Sequence, residues 1–308
     1  MRDRLDTLYQ QAGAATQRYN TAKERTDSQR VNLNRLRDHV AREAGELNET
    51  RSRLGRLATE RYRFGAIGPL QALLLSDDPD GYADTVHLLE RLDSRHRALL
   101  TKYRIRLESL EHNRAHAVTL FDSLHDAQDQ IRRERATINS KISEARSLLS
   151  RLTLQEARRL AALDKLRTEA ASRQATQWSG RQEHQPRASV DTSTRGRQAI
   201  AFARTQLGKP YVWGATGPNS YDCSGLTQAA WGAAGVSLSR TTWTQVRQGT
   251  RVPVGTLRPG DLVFFYADIS HVGLYIGNGR MIHAPRPGTR VREESIFTMP
   301  IHSAMRPA

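Results

Sequence analysis

The sequence predicts an α+β protein in which a long antiparallel helical hairpin precedes a compact domain. Three observations lead to this prediction: a seven-residue apolar repeat in the first half of the chain, a polar stretch after it, and a change in residue composition and apolar spacing beyond that stretch. At about 100–200 residues per domain, 308 residues are enough for two folded units. We therefore predict a hairpin over residues 1–175, a linker over 176–194 and a second domain over 195–308.

The first arm of the hairpin begins near Leu5, where apolar or small residues start to recur every seven positions as far as Leu54. A second row, displaced by three residues, completes an imperfect a/d seam of the kind found on coiled-coil helices. We expect this helix to end near Phe64. The segment 65–81 then breaks the repeat, as expected of the tip of a hairpin.

The second arm follows a helix-start signal, with Asp78 as the N-cap and Pro79 at the first helical position. The seven-residue repeat resumes at Leu89 and runs to Leu152, so the two arms should pack antiparallel as a coiled coil. At 1.5 Å per residue the first arm is about 90 Å long and the second about 140 Å. The final turns of the second arm must therefore pack on the following domain or on a second chain, which would make a homodimer.

The second domain is distinguished by frequent glycine and proline, three tryptophans and short alternating apolar runs in place of heptads. This texture is typical of a compact α+β unit. The linker before it is polar and has neither helical nor strand periodicity. The whole chain is basic, with a net charge of +15, which attracts polyanions without choosing among them. Because no nucleic-acid-binding motif is present, we expect no nucleic-acid partner.

Cys223 is the only cysteine of the chain, so neither an internal disulfide nor a cysteine-based zinc cluster can form. Asp222 before it is a natural N-cap, which places Cys223 in the first turn of a helix. A helix N-terminus lowers a thiol pKa from about 8.5 into the range of about 3.5–7.5, and its free N–H groups can bind an oxyanion. The sequence therefore indicates a reactive thiolate, with a small buried cysteine as the alternative.

Two histidines lie on a predicted β-hairpin, His271 at the start of one strand and His283 at the end of its partner. A two-residue turn at Asn278-Gly279 would send them to opposite faces, whereas a three-residue turn puts them on the same face. We therefore predict the three-residue turn, with His271 as the base for the thiol. His283 would hold the tautomer and orientation of His271. Metal binding by this pair is only weakly indicated, since no acidic residue stands at ligand spacing.

Five ordered blocks of this domain resemble the NlpC-type cell-wall cysteine peptidases, a family with a papain-like core. The blocks are Gly208–Gly214, Tyr221–Leu226, Leu238–Thr242 with Gln245, Leu257–Phe265 and His271–Gly277. Two positions depart from the family pattern, because Ala215 stands where a second glycine is usual and Ser239 where proline is usual. These departures leave the fine substrate preference open.

The resemblance implies an antiparallel sheet packed on the cysteine-bearing helix, with neither a metal nor an organic cofactor. It also implies cleavage of peptidoglycan stem peptides, commonly between D-glutamate and a diamino acid. Within the matched blocks, Cys223, His271 and His283 occupy the nucleophile, base and orienting positions. The positions that line the substrate cleft are Tyr211, Asp222, Ser224 and Arg240. Tyr211 could instead be a core residue and Arg240 could instead pair with a protein acid, while Asp222 has the N-cap role already given.

Two other functions remain open from the sequence. One is a coiled-coil protein whose papain-like domain binds cell-wall peptides without cutting them. The other keeps the nucleophile but transfers the acyl group to an amine, or cleaves the amide bond between glycan and peptide.

A cell-wall substrate implies an extracytoplasmic protein, although the N-terminus lacks the apolar core of a signal peptide, so an exported form would need a leader. We expect the helices to restrain the enzyme, with the blockage coming from the final turns of the second arm or from another chain. The tip offers a small apolar surface for a membrane-protein activator, or else these leucines pack the tip itself. That surface consists of Leu70, Leu73, Leu74 and Leu75.

Overall fold

Long helices form the N-terminal part of the chain in the computed structural model, which describes residues 2–64, 79–183 and 194–307. Helix α1 spans Arg2–Phe64, α2 spans Pro79–Ser150 and α3 spans Leu154–Glu183. The predicted helix end at Phe64 and start at Pro79 are confirmed. Most of the predicted tip, including the apolar surface proposed for an activator, lies outside the described residues. Within those residues, none of the helices has the length and hydropathy needed to cross a membrane.

Residues 26–126 form one of two compact units, and residues 1–25 with 127–308 form the other. In the first of these units α1 and α2 lie antiparallel, because their contacts run in opposite directions along the two helices. The amide of Gln29 donates to Ser123 at 2.5 Å, and Asn113 donates to Glu43 at 2.8 Å. The antiparallel packing of the two arms agrees with the sequence prediction, while their supercoiling stays a prediction.

Helix α3 begins after a short break that Thr153 caps. The side chain of Glu156 accepts from the Thr153 N–H at 2.9 Å, and the Thr153 hydroxyl accepts from the Glu156 N–H at 3.3 Å. This reciprocal pair is a capping box. It explains why a new helix starts here and does not continue α2.

The final turns of the second arm pack on the following domain, one of the two locations predicted for them. The Ser295 hydroxyl donates to the Ala171 carbonyl oxygen at 2.9 Å. The ring of Trp178 lies edge-on to Tyr275 and Phe297, with centroids 6.2 and 6.1 Å apart. Helix α3 continues to Glu183, so the predicted start of the linker at residue 176 is wrong. The sequence after residue 175 lacks a clear helical periodicity because only a narrow face of α3 packs on the C-terminal domain, while most of its other side chains are exposed.

The C-terminal domain contains three further helices and a six-stranded sheet. The helices are α4 (Thr194–Thr205), α5 (Cys223–Ala233) and α6 (Thr242–Gln245). The strands are β1 (Gly249–Val252), β2 (Leu262–Phe265), β3 (His271–Gly277), β4 (Arg280–His283), β5 (Arg292–Ser295) and β6 (Ile301–Pro307). Short 3₁₀ turns cover Val254–Thr256 and Ile296–Thr298.

All neighbouring strands are antiparallel, in the order β1-β6-β2-β3-β4-β5. Helix α5 packs on this sheet through Leu226 and Trp231, which join Phe264, Leu274 and Ile282 in one buried apolar cluster. The α+β class and the sheet packed on the cysteine-bearing helix are thus confirmed.

The hairpin of β3 and β4 closes with a two-residue turn at Asn278-Gly279, where both φ angles are positive, 53° and 64°. Positive φ at both positions is the signature of the primed turn that this dipeptide favours. The predicted three-residue turn is therefore wrong. A bulge between Tyr275 and Gly277 adds one residue to β3, so that beyond the bulge Tyr275 still lies opposite Met281, in the predicted register. Both histidines consequently share one face.

Candidate active site

Cys223 is the first residue of α5, as the capping signal before it indicates. Asp222 has an extended backbone, and its Oδ1 accepts from the Gly225 N–H at 2.7 Å. Gly225 is required here because a Cβ atom would lie 2.2 Å from the Ala215 carbonyl oxygen. The cysteine side chain therefore sits beside the free N–H groups of the helix start. It is buried, with only 3% of the residue exposed.

The two histidines contact each other directly across β3 and β4. Nε2 of His271 lies 2.9 Å from Nδ1 of His283, and both residues are buried. This contact leaves Nδ1 of His271 as the nitrogen available to the thiol. Cys223, Tyr211 and both histidines line a single cavity of about 490 Å³. The structure thus brings together the three residues that the sequence predicts for nucleophile, base and orienting group.

Glu294 is a further member of this group that sequence reasoning missed. Its Oε2 lies 2.8 Å from Nε2 of His283, on the side of the ring away from His271. Glu294 is on β5, which pairs with β4 after an irregular connection over residues 284–291. No local signal in the sequence sets the register across that connection, and the neighbouring Glu293 is an equal candidate by sequence alone.

Three of the four predicted cleft residues form a buried polar network beside the cysteine. Nη1 of Arg240 donates to Asp222 Oδ1 at 3.0 Å and to the Ser224 hydroxyl at 2.9 Å, and Nη2 donates to Asp222 Oδ2. The Gly214 N–H also donates to Asp222, at 2.9 Å. Arg240 is therefore paired with a protein acid, the alternative left open by its sequence. Asp222 serves both as the N-cap and as the centre of this network.

The start of α1 covers the site, a contact that the sequence analysis did not predict. Nε2 of Gln17 points at Cys223 Sγ at 3.6 Å, while its Oε1 accepts from the Thr242 N–H at 3.0 Å. The amide of Asn20 donates to Asp222 Oδ2 at 3.2 Å. Thr16 and Tyr211 line the same cavity as Cys223. The sequence analysis expected a blockage from the end of the second arm or from another chain; Arg167 and Ser172 of α3 line the same cavity, while the contacts with Cys223 and Asp222 come from α1.

The covered site keeps the thiol in its neutral form. Burial, together with the Asp222 carboxylate, raises the pKa of Cys223 to about 12, against a smaller opposite effect of Arg240. Burial, followed by the charge of His283, holds the pKa of His271 well below 6.5. The thiolate predicted near neutral pH is therefore absent in this arrangement, because desolvation outweighs the helix N-terminus.

Ion pairs attach the start of α1 to its surroundings within the same unit. Asp6 pairs with Arg167 of α3 at 3.1 Å and with Arg286 of the C-terminal domain at 3.7 Å. On the opposite side, Arg18 pairs with Glu134 of α2 at 2.8 Å. Most of these side chains are substantially exposed, so each pair contributes about 0.2–1 kcal/mol. Together they orient the helix over the cleft.

No cluster of three or more His, Cys, Asp or Glu side chains suited to a metal ion occurs among residues 2–64, 79–183 and 194–307.

Comparison with known proteins relates the C-terminal domain to one family. The NlpC/P60 family model matches residues 208–306. A probable endopeptidase of Corynebacterium glutamicum is 49% identical over 111 residues, which cover 36% of this chain and 53% of that protein. Probable endopeptidase p60 of Listeria monocytogenes is 48% identical over 93 residues, covering 30% of this chain and 19% of that protein.

Among solved structures, the NlpC/p60 domain of the peptidoglycan hydrolase SagA is 34% identical. The match covers 36% of this chain and 97% of that one, with a TM-score of 0.34. The chain spans about half the length of the Corynebacterium glutamicum relative and about a fifth of the Listeria monocytogenes relative. These sequence matches relate residues 208–306, and not the whole chain, to the NlpC/P60 family.

Proposed function

We propose that this protein is a peptidoglycan hydrolase, a cysteine endopeptidase that cleaves stem peptides between D-glutamate and the diamino acid. The observation that carries the proposal is the placement of Cys223 at the N-terminus of α5, in one cavity with the contacting pair His271 and His283. The relatives named as endopeptidases and as a peptidoglycan hydrolase support it. Such a substrate places the protein outside the cytoplasmic membrane.

In the proposed reaction, Nδ1 of His271 takes the thiol proton and Sγ of Cys223 attacks the carbonyl carbon of the stem peptide. The N–H groups of the first turn of α5 stabilise the negative charge that develops on the carbonyl oxygen. His271 then passes its proton to the leaving amine of the diamino acid, which breaks the C–N bond and leaves a thioester on Cys223. Water, deprotonated by His271, hydrolyses the thioester and restores the thiol.

We further infer that α1 holds this enzyme in a latent form. A stem peptide cannot reach Cys223 while Gln17 and Asn20 occupy the cleft, since these side chains contact the thiol and Asp222 directly. Gln17 is fully buried, yet both ends of its amide have partners, so burying this polar side chain costs little. The polar face of α1 is thus complementary to the cleft.

The complementarity is incomplete in a way that favours release. Oδ1 of Asn20 is buried and has no hydrogen-bond partner within the described part of the chain. An unsatisfied buried acceptor costs about 1–3 kcal/mol. The covered state is therefore less stable than a fully satisfied contact would be.

The products of digestion test the proposed reaction. Purified stem tripeptides, free in one reaction and still joined to glycan in another, are incubated with the full chain carrying Gln17→Ala and Asn20→Ala, and the products are identified by mass. We expect a dipeptide that ends in D-glutamate and a free diamino acid, and neither product when Cys223→Ala is added. Release of the intact stem from glycan would identify an amidase, and transfer to an added amine without hydrolysis would identify an acyltransferase; either result would refute the endopeptidase.

A further inference from the structure

The strand pairing brings a carboxylate to the far side of the histidine pair. His283 lies opposite Arg292 in the β4–β5 register, and side chains two residues apart share a face of the sheet. Glu294 is therefore diagonal to His283 on the same face, where its Oε2 meets Nε2 of His283 at 2.8 Å. His271, His283 and Glu294 thus form a continuous hydrogen-bonded row across β3, β4 and β5.

We propose that Glu294 is a positioning residue for the reaction, which fixes the tautomers of His283 and His271 and stabilises the imidazolium that forms during acylation. This inference deepens the proposed function and rests on it. Glu294 does not touch the reacting atoms, and acts through His283.

The direction of each hydrogen bond follows from the carboxylate. An ionised carboxylate only accepts hydrogen bonds, so Nε2 of His283 must donate to Glu294. A neutral His283 then carries no proton on Nδ1, which accepts from Nε2–H of His271. His271 in turn has a free lone pair on Nδ1, the nitrogen needed to take the thiol proton. Reversal of the row would protonate that nitrogen and abolish the base.

The surroundings of Glu294 keep it ionised. Burial alone would raise its pKa, but the hydrogen bond with His283, the charge of His283 and the Arg292 guanidinium outweigh burial and lower the pKa to about 2. Arg292 donates to both carboxylate oxygens at 3.0–3.2 Å. Burial lowers the pKa of His271 and of His283, and the negative charge of Glu294 opposes that decrease. Proton uptake by His271 in the reaction is favoured accordingly.

Glu293 provides a matched control on the same strand. It lies one residue away on the opposite face of β5, where it approaches Arg280 at 3.6 Å and Arg204 at 4.0 Å. Glu293→Gln removes the same charge from the same strand without touching the histidine row. Glu294→Gln removes the charge and permits the amide to donate a hydrogen bond to His283. The direction of the hydrogen bonds between the two histidines can then reverse.

Nitrogen NMR of the full chain tests the proposal without relying on activity. Imidazole signals are assigned with His271→Gln and His283→Gln, and their shifts report which nitrogen carries the proton. We expect both rings of the wild type to carry the proton on Nε2, and Glu294→Gln to change the tautomer or lower the pKa of His283. Glu293→Gln should change neither. A proton on Nδ1 of His283 in the wild type, or unchanged signals in Glu294→Gln, would refute the role.

Kinetics on stem peptides give the second readout. In the chain with Gln17→Ala and Asn20→Ala, Glu294→Gln should lower kcat about 100-fold, the lower end of what a general base contributes, and leave KM nearly unchanged. The limb of the pH–rate profile governed by the imidazolium should shift to lower pH, and Glu294→Asp should restore part of the rate. Equal kcat in Glu294→Gln and Glu293→Gln would contradict the proposal. If no chain cuts the peptide, the proposed function fails, while the NMR result still decides the histidine row.

Discussion

The thiol of Cys223 is subject to two opposing influences. The helix N-terminus favours the thiolate, whereas burial and Asp222 favour the neutral thiol, and the balance raises the pKa to about 12. The same burial lowers the pKa of His271, so the ion pair that makes such a cysteine reactive is disfavoured in this arrangement. Burial thus acts on both members of the proposed nucleophile and base pair.

The roles of the two histidines predict unequal losses on substitution. His271→Gln removes the base, whereas His283→Gln keeps a hydrogen-bonding group beside His271. We expect His271→Gln to reduce kcat/KM by at least tenfold more than His283→Gln, because a general base contributes about 10²–10⁴-fold. Initial rates on stem peptides in the chain with Gln17→Ala and Asn20→Ala measure this. The reverse ranking would exchange the two roles.

The low pKa of Glu294 predicts a pH-dependent contribution to stability. Because the pKa falls from 4.5 to about 2 on folding, the stabilisation is present above pH 4.5 and is lost as the pH falls through about 2. The free energy of unfolding of the wild type should exceed that of Glu294→Gln most above pH 4.5. Denaturant unfolding followed by tryptophan fluorescence measures the difference at several pH values. A difference that grows on acidification would show that the carboxylate is not stabilised by its partners.

At the scale of elements, the first turns of α1 and the last turns of α3 both pack on the C-terminal domain. α1 contacts the cleft through the hydrogen bonds of Gln17 and Asn20, and the ring of Tyr19 lies edge-on to Trp213 with ring centroids 4.9 Å apart. α3 contacts the domain through the ring of Trp178 and through the hydrogen bond from Ser295 to Ala171. Both contacts therefore combine polar and aromatic interactions.

Gln17→Ala should expose the thiol. The substitution removes a buried amide and leaves the Thr242 N–H without its partner, which costs the covered state about 1–3 kcal/mol. We expect iodoacetamide to alkylate Cys223 of the full chain about tenfold faster at pH 7, where 1.4 kcal/mol corresponds to a factor of ten. Gln11→Ala removes the same side chain from an exposed position of α1 and should have no effect. Equal acceleration by both variants would show that the contact with Cys223 is irrelevant to its reactivity.

Trp178→Ala should loosen α3 from the sheet. The ring is partly buried between Tyr275 and Phe297, and we expect a loss of about 2 kcal/mol in the free energy of unfolding of the C-terminal domain. Gln177→Ala, at the exposed neighbouring position, is the control. Denaturant unfolding followed by circular dichroism measures both. A loss below 0.5 kcal/mol for Trp178→Ala would mean that α3 is not held by this contact.

The sequence predicted those elements whose signals are local. The helix end at Phe64, the start at Pro79 and the N-cap at Asp222 each depend on neighbouring residues alone. The β3–β4 turn was predicted wrongly because a bulge in β3 offsets the change of register that a two-residue turn causes. No residue near the turn indicates that bulge in the sequence. The contact of α1 with Cys223 was not predicted because a polar side chain on a helix, such as Gln17, is normally expected to face solvent. Its partners Cys223 and Thr242 are distant in the sequence.

At the scale of the whole chain, the covered site belongs to a single compact unit formed by residues 1–25 and 127–308. Helix α1 continues from this unit into residues 26–126, which form a unit of their own. One helix therefore has its start in the cleft and the rest of its length in the helical pair.

High ionic strength should weaken the contact between the start of α1 and the cleft. The ion pairs that hold the start of α1 lie near the surface, where salt screens them, with a Debye length of about 10 Å at 0.1 M and about 3 Å at 1 M. We expect the alkylation rate of Cys223 to rise several-fold between these two salt concentrations. The rise should be smaller in Asp6→Asn, which has already lost two of the pairs. A rate independent of salt in both chains would exclude a role of these ion pairs in that contact.

We propose that the first helix of this chain holds a cysteine endopeptidase in a latent form. The most direct test compares the rates at which full-length wild type and full-length Gln17→Ala with Asn20→Ala hydrolyse the same stem peptide. We expect the variant to be at least about tenfold faster, since without Gln17 the covered state leaves the Thr242 N–H unpaired at a cost of about 1–3 kcal/mol, and to lose all activity with Cys223→Ala. Equal rates in the two chains, or hydrolysis that survives Cys223→Ala, would contradict the account.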